Sequence, residues 1–284
     1  MRLWVVGASG LVGSELGRRA SPTATVLGSA RKVEGAATRV VDLLDRAAIE
    51  LALKDFAPEA IAICSAWPYV DGCESDPARS HRDNVSTVQN LVAATAGSRA
   101  RLLFFSTDHV FDGKKDGRYV ESDAVHPLSV YAKHKREVEV LLLERGRSLI
   151  CRTAWVFGLE ARKKNFVYRV LSHARDGTEL KVPSGQSGCP TWTGWLCEAA
   201  LTLLGQDMEG VVHLTGEREF TKAQWATLIV QALQLPALKL TETDWRLAGQ
   251  VAPRPDRVAL TSERHAFRQP EVEGILKALG DGLR

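Results

Sequence analysis

The sequence predicts an α/β fold in which helices cover both faces of a parallel β-sheet. Short apolar runs alternate along the first half of the chain with longer segments of helical periodicity, which is the pattern of βαβ units. The first run, Arg2–Val6, leads directly into a glycine-rich segment and then a helical pattern through Arg19. The rhythm loosens near Trp155, which predicts a first domain over residues 1–155 and a smaller part over residues 156–284, interleaved with it.

Apolar runs, helical spacing and turn residues predict the strands and helices in order along the chain. Thr221 is the expected N-cap of a late helix. The segments Trp155–Gly158 and Trp245–Arg257 are predicted to be irregular. The predicted strands are 2–6, 23–27, 60–65, 101–105, 149–153, 180–182 and 211–214. The predicted helices are one after Gly13 that ends at 19, one ending near 54, 77–96, 130–147, 165–175, 194–204, 221–233 and 272–279.

Composition narrows the class of protein. The 284 residues carry 37 basic and 34 acidic side chains, so the near balance gives no reason to expect a nucleic-acid partner. No apolar run reaches the roughly 20 residues of a membrane span, and the N-terminus lacks the pattern of a signal peptide. Five cysteines without a CxxC pair predict reduced thiols in a cytoplasmic setting and no metal site. The cluster Arg162-Lys163-Lys164 is interpreted as solvated surface, with contact to an anionic substrate as the alternative.

The glycine-rich turn at the N-terminus predicts a dinucleotide site. Gly7, Gly10 and Gly13 form a GxxGxxG motif between a strand and a helix. Gly7 permits a tight turn, Gly10 admits a pyrophosphate to the backbone, and Gly13 lets the helix pack against the strand. Free N–H groups at the helix start then face the phosphates. The remaining members of this expected cofactor loop are Ser9, Leu11 and Val12.

The end of the second strand favours NADP(H), with NAD(H) as the alternative. A protein that prefers NAD usually has an acid there to bond the ribose 2′-hydroxyl. Here the stretch is Gly28-Ser29-Ala30-Arg31-Lys32, so Ser29 and Arg31 are candidates for holding a 2′-phosphate. Asp42 and Leu43 are candidates for contact with the adenine, although Asp42 at the start of a helix is equally read as its cap.

A loop with two aromatic residues follows the strand that ends at Ser65. Ligands bind at the carboxyl ends of strands in open α/β sheets. Ser65 and Ala66 are therefore placed with the cofactor, and Trp67 and Tyr69 are candidates for stacking on a ring. The alternative is that both aromatic side chains are hydrophobic anchors of the loop.

The segment between Thr107 and Lys135 carries the residues of a proton-transfer site. Tyr131 and Lys135 form a YxxxK pair on one helix face. A neighbouring ammonium is expected to lower the pKa of the phenol, so that it exchanges protons with a carbonyl or alcohol. Thr107 can donate a hydrogen bond to the same oxygen, and Lys135 can also hold the nicotinamide ribose.

With these motifs the chain resembles the extended short-chain dehydrogenase/reductase family, and within it the dTDP-4-dehydrorhamnose reductase branch. The resemblance covers nearly the whole chain, and its most specific motif is Ser106-Thr107-Asp108-x-Val110-Phe111-Asp112-Gly113. The other segments that carry it are GxxGxxG, YxxxK, Arg152-Thr153-x-Trp155-Val156-Phe157-Gly158, Asn165-Phe166-Val167, Gln186-x-Gly188-x-Pro190-Thr191 and Arg254-Pro255.

The resemblance implies a Rossmann-type, doubly wound fold with a smaller C-terminal substrate-binding domain. It implies reduction of a 4-keto group on a nucleotide-activated deoxysugar by NAD(P)H. Thr107, Tyr131 and Lys135 would be the catalytic residues, with Tyr131 protonating the alkoxide. The residues that would line the sugar-nucleotide site are Trp67, Asp108, His109, Trp155, Asn165, Gln186 and Arg254. The sequence leaves the oligomeric state open, a homodimer being one alternative.

Three departures from the family pattern fall in or near the substrate site. His109 stands where the family usually has Tyr, Trp67-Pro68 replaces a His-Thr pair, and Gly185 replaces an Asp. His109 is read as a polar lining residue, or alternatively as an additional proton donor. Two other functions stay open: a non-catalytic regulatory subunit similar to methionine adenosyltransferase beta, and a sugar-nucleotide epimerase or dehydratase. The dehydratase reading is disfavoured because Asp108 is followed by a histidine rather than a second acid.

Overall fold

A computed structural model describes residues 1–283 of the chain. A π-helical turn, Arg82–Ser86, joins α4 to α5, and a 3-10 turn, Asp108–Val110, follows β5. The strands are β1 (Arg2–Val6), β2 (Thr25–Ala30), β3 (Arg39–Val40), β4 (Ala60–Ile63), β5 (Arg101–Thr107), β6 (Ser148–Thr153), β7 (Val156–Phe157), β8 (Glu179–Pro183), β9 (Ser187–Gly188), β10 (Thr191–Trp192), β11 (Gly210–His213), β12 (Phe220–Thr221) and β13 (Lys239–Thr243). The helices are α1 (Leu11–Ala20), α2 (Arg46–Phe56), α3 (Val70–Ser75), α4 (Pro77–His81), α5 (Thr87–Ala94), α6 (Val130–Arg145), α7 (Phe166–Asp176), α8 (Thr193–Gly205), α9 (Lys222–Ala232) and α10 (Val272–Leu283).

Seven parallel strands form the central sheet in the order β11-β6-β5-β4-β1-β2-β3. The direction of winding reverses between β1 and β4, and a crevice opens there at the carboxyl ends of the strands. The predicted doubly wound fold is confirmed. The position of a ligand site in this fold therefore follows from the strand order.

Alternation along each strand supplies the two cores that hold helices to the sheet. In β1, Leu3 and Val5 face the side covered by α1 and α8, whereas Trp4 and Val6 face the side covered by α2, α5 and α6. All four side chains are buried. Strands buried on both faces require nearly continuous apolar runs, and this is why they stand out in the sequence.

The second strand differs from its prediction. The expected strand was 23–27, but β2 begins at Thr25 and continues through Ala30, pairing Gly28 with Val5 and Ser29 with Val6. Glycine and serine are poor strand formers, so propensity ended the prediction too early. The strand continues because β1 offers paired backbone groups along its full length.

The segment after residue 155 returns to the sheet as well as forming its own core. Helix α8 packs on α1, and β11 forms an edge of the central sheet beside β6. Helices α7, α9 and α10 pack around β8 in a separate apolar cluster. The predicted loop Trp155–Gly158 contains a short strand, β7, paired with β10, and β13 was not predicted at all. β7 is short and β13 is largely exposed, so neither has the apolar run that predicts a strand. Each forms because a partner strand supplies backbone hydrogen bonds.

The helices agree with the sequence at their capped ends. Thr221 caps α9, and Gln224 completes a reciprocal capping box with it. The predicted helix 77–96 is interrupted by the π-helical turn that contains Asn84. No helix within residues 1–283 is both long and apolar enough to cross a membrane.

Helix α1 packs against the end of β1 at a distance that only glycine permits. A Cβ atom at position 13 would stand 2.8 Å from the carbonyl carbon of Gly7 and closer still to its oxygen. At position 17, one turn later, the nearest atom to such a Cβ would be Val26 Cγ1 at 3.8 Å, an ordinary contact. Gly13 is therefore required for the packing of α1 on β1, whereas Gly17 is not.

We expect Gly13→Ala to lower the free energy of unfolding by about 1–3 kcal/mol, because the helix must move off the strand. Gly17→Ala is the matched control and should raise it by up to about 1 kcal/mol through helix propensity. Urea unfolding of both variants measures the difference. Equal stability of the two would contradict the close packing at Gly13.

Candidate active site

The glycine-rich turn has the geometry of a phosphate cradle. Gly7 adopts a left-handed φ of 84°, and its N–H donates to the Ser29 carbonyl at 2.8 Å. A Cβ atom at Gly7 would lie 2.6 Å from the Ser65 backbone nitrogen, so glycine is required here. Gly10 is the N-cap of α1 and provides no side-chain cap, which leaves N–H groups of the first turn for an anion.

Two buried hydroxyls along this edge have no hydrogen-bond partner among residues 1–283. They are Ser65 Oγ, after β4, and Thr153 Oγ1, at the end of β6. A buried polar group without a partner is costly, and a bound ribose or carboxamide would satisfy both. With the glycine cradle beside them, these residues fit a nicotinamide dinucleotide. Thr153 was not among the predicted cofactor residues, because a threonine in an apolar strand carries no distinctive signal.

The structure corrects two expectations near β2: the phosphate contact of Ser29 and the capping role of Asp42. Ser29 lies inside β2 with 0% of its surface exposed, and its hydroxyl accepts a hydrogen bond from Trp4 Nε1 at 2.8 Å, so it is not available to a 2′-phosphate. The alternative role of Asp42 as the cap of α2 is wrong: Asp45 is the cap, and Asp42 accepts from the Leu44 N–H. The Leu43 side chain is buried in the core. Arg31 is exposed beyond β2, and its contact with the phosphate stays a prediction.

Thr107 and Tyr131 stand at the same edge on neighbouring elements. Thr107 closes β5, and its hydroxyl donates to Asp108 Oδ1 at 3.1 Å while accepting from the His109 N–H at 3.2 Å. Tyr131 lies in the first turn of α6, which Ser129 caps. The rings of His109 and Tyr131 meet edge to face, with centroids 6.4 Å apart. The Tyr131 hydroxyl has no hydrogen bond within the described part of the chain, so it is free to reach a ligand.

Lys135 lies one turn along α6 and is only 4% exposed. Its Nζ donates to the Phe105 carbonyl at 2.5 Å and lies 4.0 Å from the centre of the Phe104 ring. Burial lowers the pKa of Lys135 to about 7, against an opposing effect of Glu139. Burial also raises the pKa of the Tyr131 phenol, with smaller contributions from Cys73 and Asp108. The expectation that Lys135 lowers the pKa of Tyr131 is therefore wrong for this conformation.

A buried ion pair supports these residues from behind. Glu139 is 0% exposed and accepts from Arg152 Nε at 2.9 Å and Nη2 at 2.8 Å. It also accepts from the Ser106 hydroxyl at 2.6 Å and from Arg136 at 3.0 Å. Burial acts to raise the pKa of Glu139, but these donors more than offset it and the pKa is lowered. The pair ties α6 to β5 and β6 where they carry the site.

A cavity of about 450 Å³ opens beside Asp108 and His109, between the sheet and the C-terminal part. It is lined by five cations and two acids, a balance that suits an anionic ligand. Five of the seven predicted substrate residues line it: Asp108, His109, Trp155, Gln186 and Arg254. Its cations are Lys164, Arg169, Lys181, Lys222 and Arg254, and its acids are Asp71 and Asp108.

The other two predicted substrate residues lie outside the cavity lining. Trp67 packs against Arg79, whose guanidinium carbon is 4.2 Å from the ring centre, whereas its neighbour Tyr69 lines the cavity. Asn165 is the N-cap of α7, and its amide also donates to the Gly158 carbonyl at 2.9 Å. Trp67 and Asn165 therefore have structural partners outside the cavity lining, and their contact with the substrate stays a prediction.

Arg254 lines the cavity but is held by an acid. Both of its terminal nitrogens donate to the Asp71 carboxylate, at 2.9 and 2.7 Å. The backbone N–H groups of Val251 and Ala252 donate to the same carboxylate. Burial acts to raise the pKa of Asp71, and these donors lower it overall. Asp71 thus fastens the segment 251–254 across the mouth of the cavity.

Lys222 is a cavity residue that the sequence did not reveal. Its Nζ lies 3.2 Å from the centre of the Trp155 ring and 4.9 Å from that of Phe166, with no hydrogen-bond acceptor among the described residues. Burial lowers the pKa of Lys222 to about 7, against the attraction of Asp108. A lysine just after a helix cap is unremarkable in sequence. Only the fold brings it to Asp108.

Trp155 is held in a strained conformation at the cavity wall. Its φ is 42°, in the left-handed region that a tryptophan rarely adopts. A Cβ atom at Gly188 would lie 2.7 Å from Trp155 Nε1, so the ring packs directly on that glycine. Strain of this kind concentrates at functional sites, where surrounding structure maintains it.

The fold and this site define a protein of the extended short-chain dehydrogenase/reductase class. The chain belongs to the RmlD substrate-binding domain family, which matches residues 1–271. It is 33% identical over 284 residues to dTDP-4-dehydrorhamnose reductase of Sinorhizobium fredii, covering 97% of this chain and 92% of the relative. The resemblance seen in the sequence is thereby confirmed.

Solved structures agree. The crystal structure of a dTDP-4-dehydrorhamnose reductase from Clostridium acetobutylicum superposes with a TM-score of 0.86 at 26% identity, covering 99% of both chains. That of the Bacillus anthracis dTDP-4-dehydrorhamnose reductase, in complex with NADP, has a TM-score of 0.89 at 22% identity over 98% of this chain and 97% of the other. At that identity the second likeness shows the fold alone.

We expect Glu139→Gln to destabilise the protein by about 3–5 kcal/mol at pH 7, because Arg152 loses its charged partner in the interior. The lowered pKa of Glu139 stabilises the fold above the unfolded-state value of 4.5. That contribution is lost as the pH falls through the folded-state value, so the gap between variant and wild type narrows only in acid.

Glu137→Gln is the matched control, since Glu137 is on the same helix with 45% of its side chain exposed. It should change stability by no more than about 0.5 kcal/mol. Denaturant titrations at several pH values measure both variants. A loss in Glu139→Gln no larger than in the control would disprove the role of the buried pair.

Proposed function

We propose that this protein is an NADPH-dependent reductase of a nucleotide-activated 4-keto-deoxysugar, similar in activity to dTDP-4-dehydrorhamnose reductase. One observation carries the proposal. The unpartnered Tyr131 hydroxyl belongs to a ring that meets His109, and His109 lines a cavity with five cations, while the glycine cradle lies at the same edge of the sheet. The family and the name of its Sinorhizobium fredii relative support the reaction and the dTDP-sugar.

The cofactor, when bound, supplies the hydride that reaches the keto carbon. Gly7, Gly10 and the first turn of α1 would hold its pyrophosphate, and Ser65 and Thr153 its nicotinamide half. Lys135 lies where it can hold the nicotinamide ribose by turning from the Phe105 carbonyl. None of these contacts with the cofactor uses the Tyr131 hydroxyl, so Tyr131 can act on the substrate.

Tyr131 acts as the general acid. Because burial raises the pKa of its phenol, it carries its proton at neutral pH and gives it to the oxygen of the reduced carbon. Thr107 turns its hydroxyl from Asp108 to the same oxygen and holds it in line. Asp108 then keeps a free carboxylate oxygen for a sugar hydroxyl.

The cavity cations hold the diphosphate of the sugar nucleotide. Lys164, Arg169 and Lys181 lie exposed around its outer part, where a diphosphate keeps some water. Lys222 and His109 lie at the inner part, near Asp108 and Tyr131, where the sugar ring is placed. The Nδ1 atom of His109 is buried and unpartnered within residues 1–283, and desolvation lowers the pKa of the ring, so it meets the sugar as a neutral imidazole.

The direct test follows NADPH absorbance with a panel of dTDP-, UDP- and GDP-4-ketosugars. Reduction of at least one supports the proposal and identifies the nucleotide. Tight NADPH binding without turnover of any of them would instead favour the regulatory-subunit reading. Conversion of a sugar nucleotide with no net oxidation of NADPH would favour an epimerase.

We expect Tyr131→Phe to lower kcat by about 10²–10⁴-fold, because the general acid is lost, with the Kd for NADPH nearly unchanged. Tyr168→Phe is the matched control: Tyr168 belongs to the apolar cluster around α7 and does not line the cavity, so kcat should stay near that of the wild type. Steady-state kinetics and cofactor titration measure both. Full activity of Tyr131→Phe would remove Tyr131 from the mechanism.

We expect the binding of dTDP-glucose to weaken as the pH rises from 6 to 8. With a pKa of about 7, Lys222 loses most of its charge across this range, from about nine-tenths to about one-tenth protonated. The diphosphate diester keeps its own charge, so loss of the Lys222 charge in the same cavity weakens their attraction even though Lys222 lies beside the sugar ring. Calorimetric titration should show the dependence flattened in Lys222→Met and retained in Lys239→Met, an exposed lysine on β13. The same slope in both variants would exclude Lys222 from the substrate site.

A further inference from the structure

Arg162 reaches from the C-terminal part to the glycine-rich turn at the other end of the chain. Its Nη2 donates to Ser9 Oγ at 3.4 Å, and the same group forms an ion pair with Glu34. Ser9 belongs to the cofactor loop, and Glu34 lies four residues beyond the end of β2. The basic cluster that sequence analysis interpreted as solvated surface therefore supplies one residue to the cofactor edge.

The loop that carries Arg162 is fixed at its far end. Glu160 Oε1 accepts from the Lys164 and Asn165 N–H groups, at 2.8 and 2.6 Å. The Asn165 amide donates to the Gly158 carbonyl, which closes the loop on itself. Arg162 is thus presented to Ser9 by a folded loop, and its position follows from the tertiary structure.

The Glu34 carboxylate is surrounded by groups that bind anions. Arg162 lowers the pKa of Glu34 most, and the Ser9 hydroxyl and Lys32 lower it further. A guanidinium, a hydroxyl and an ammonium together are a donor set that binds a phosphate monoester. In dinucleotide folds the adenosine ribose lies at this place, between the first glycine turn and the end of the second strand.

We propose that Arg162, with Ser9 and Lys32, forms the site for the 2′-phosphate of NADP(H), and that Glu34 occupies this site until the phosphate displaces it. The inference rests on the proposed function, because it assigns residues to the cofactor of that reaction. It replaces Ser29, whose hydroxyl is buried against Trp4, as a phosphate ligand.

Glu34 also affects the preference between NADP(H) and NAD(H). The stretch that ends at Lys32 contains no acid, and the expectation of NADP(H) depended on that absence. Glu34 is an acid within reach of the same ribose, and a free carboxylate there would favour the 2′-hydroxyl of NAD(H). Arg162 neutralises it, so the choice of cofactor depends on a residue 128 positions away.

The test compares the Kd of NADP⁺ and of NAD⁺ for the full-length protein by calorimetry. Arg162→Gln should weaken NADP⁺ binding about tenfold or more, as expected for a lost charge-assisted hydrogen bond, and should leave NAD⁺ binding unchanged or tighter because Glu34 is freed. Lys163→Gln removes the same charge from the same loop and should leave both values near wild type. Glu34→Gln should tighten NADP⁺ several-fold and leave NAD⁺ unchanged.

Three results would overturn the assignment. Arg162→Gln could match Lys163→Gln, or it could weaken both dinucleotides equally, which would mean a general effect of the loop. Glu34→Gln could weaken NAD⁺ alone, which would make Glu34 a ribose ligand. If the wild-type protein binds neither dinucleotide, the proposed function fails with the inference. If it binds NADP⁺ and the variants do not change the ratio, only the inference fails.

Discussion

The buried ion pair between Glu139 and Arg152 is the interaction on which the site depends. It lies behind the carboxyl ends of β5 and β6 and binds both strands to α6. Ser106 and Thr107 are neighbours on β5, so their side chains point to opposite faces: Ser106 bonds the carboxylate while Thr107 lines the site. Lys135 is one turn before Glu139 on α6. The position of the Glu139 side chain therefore determines the positions of β5 and α6 and of the reacting groups that they carry.

The site depends on two amines in apolar surroundings and on two carboxylate–arginine pairs. Lys135 and Lys222 approach Tyr131 and Trp155 respectively from two different parts of the chain, and burial lowers the pKa of both amines to about 7. Asp71 and Glu34 hold Arg254 and Arg162 at the substrate and cofactor edges. In each case a carboxylate that precedes residue 155 pairs with an arginine that follows it, so both ligand sites combine the two parts of the chain.

Much of the fold was predictable because its strands are buried on both faces. Continuous apolar runs identified β1, β4, β5 and β6, and caps such as Thr221 identified where helices begin. The prediction failed where pairing alone makes a strand: β3, β7 and β13 are short or exposed, and β2 continues through Gly28 and Ser29 because β1 pairs with it. Local composition does not include the backbone hydrogen bonds that a partner strand contributes.

The candidate site divides in the same way. The spacing of Gly7, Gly10 and Gly13 and of Tyr131 and Lys135 is local, set by one turn and by one helix, so the sequence by itself determined where those residues lie. Lys222, Arg162 and Thr153 gain their places only through packing over long separations. The same packing took Ser29 out of the cofactor site by burying its hydroxyl against Trp4. The sequence therefore determined the class of chemistry, because the residues that carry this chemistry lie in short-range motifs. Tertiary structure decided which charges meet the ligands, because charge placement depends on contacts between distant segments.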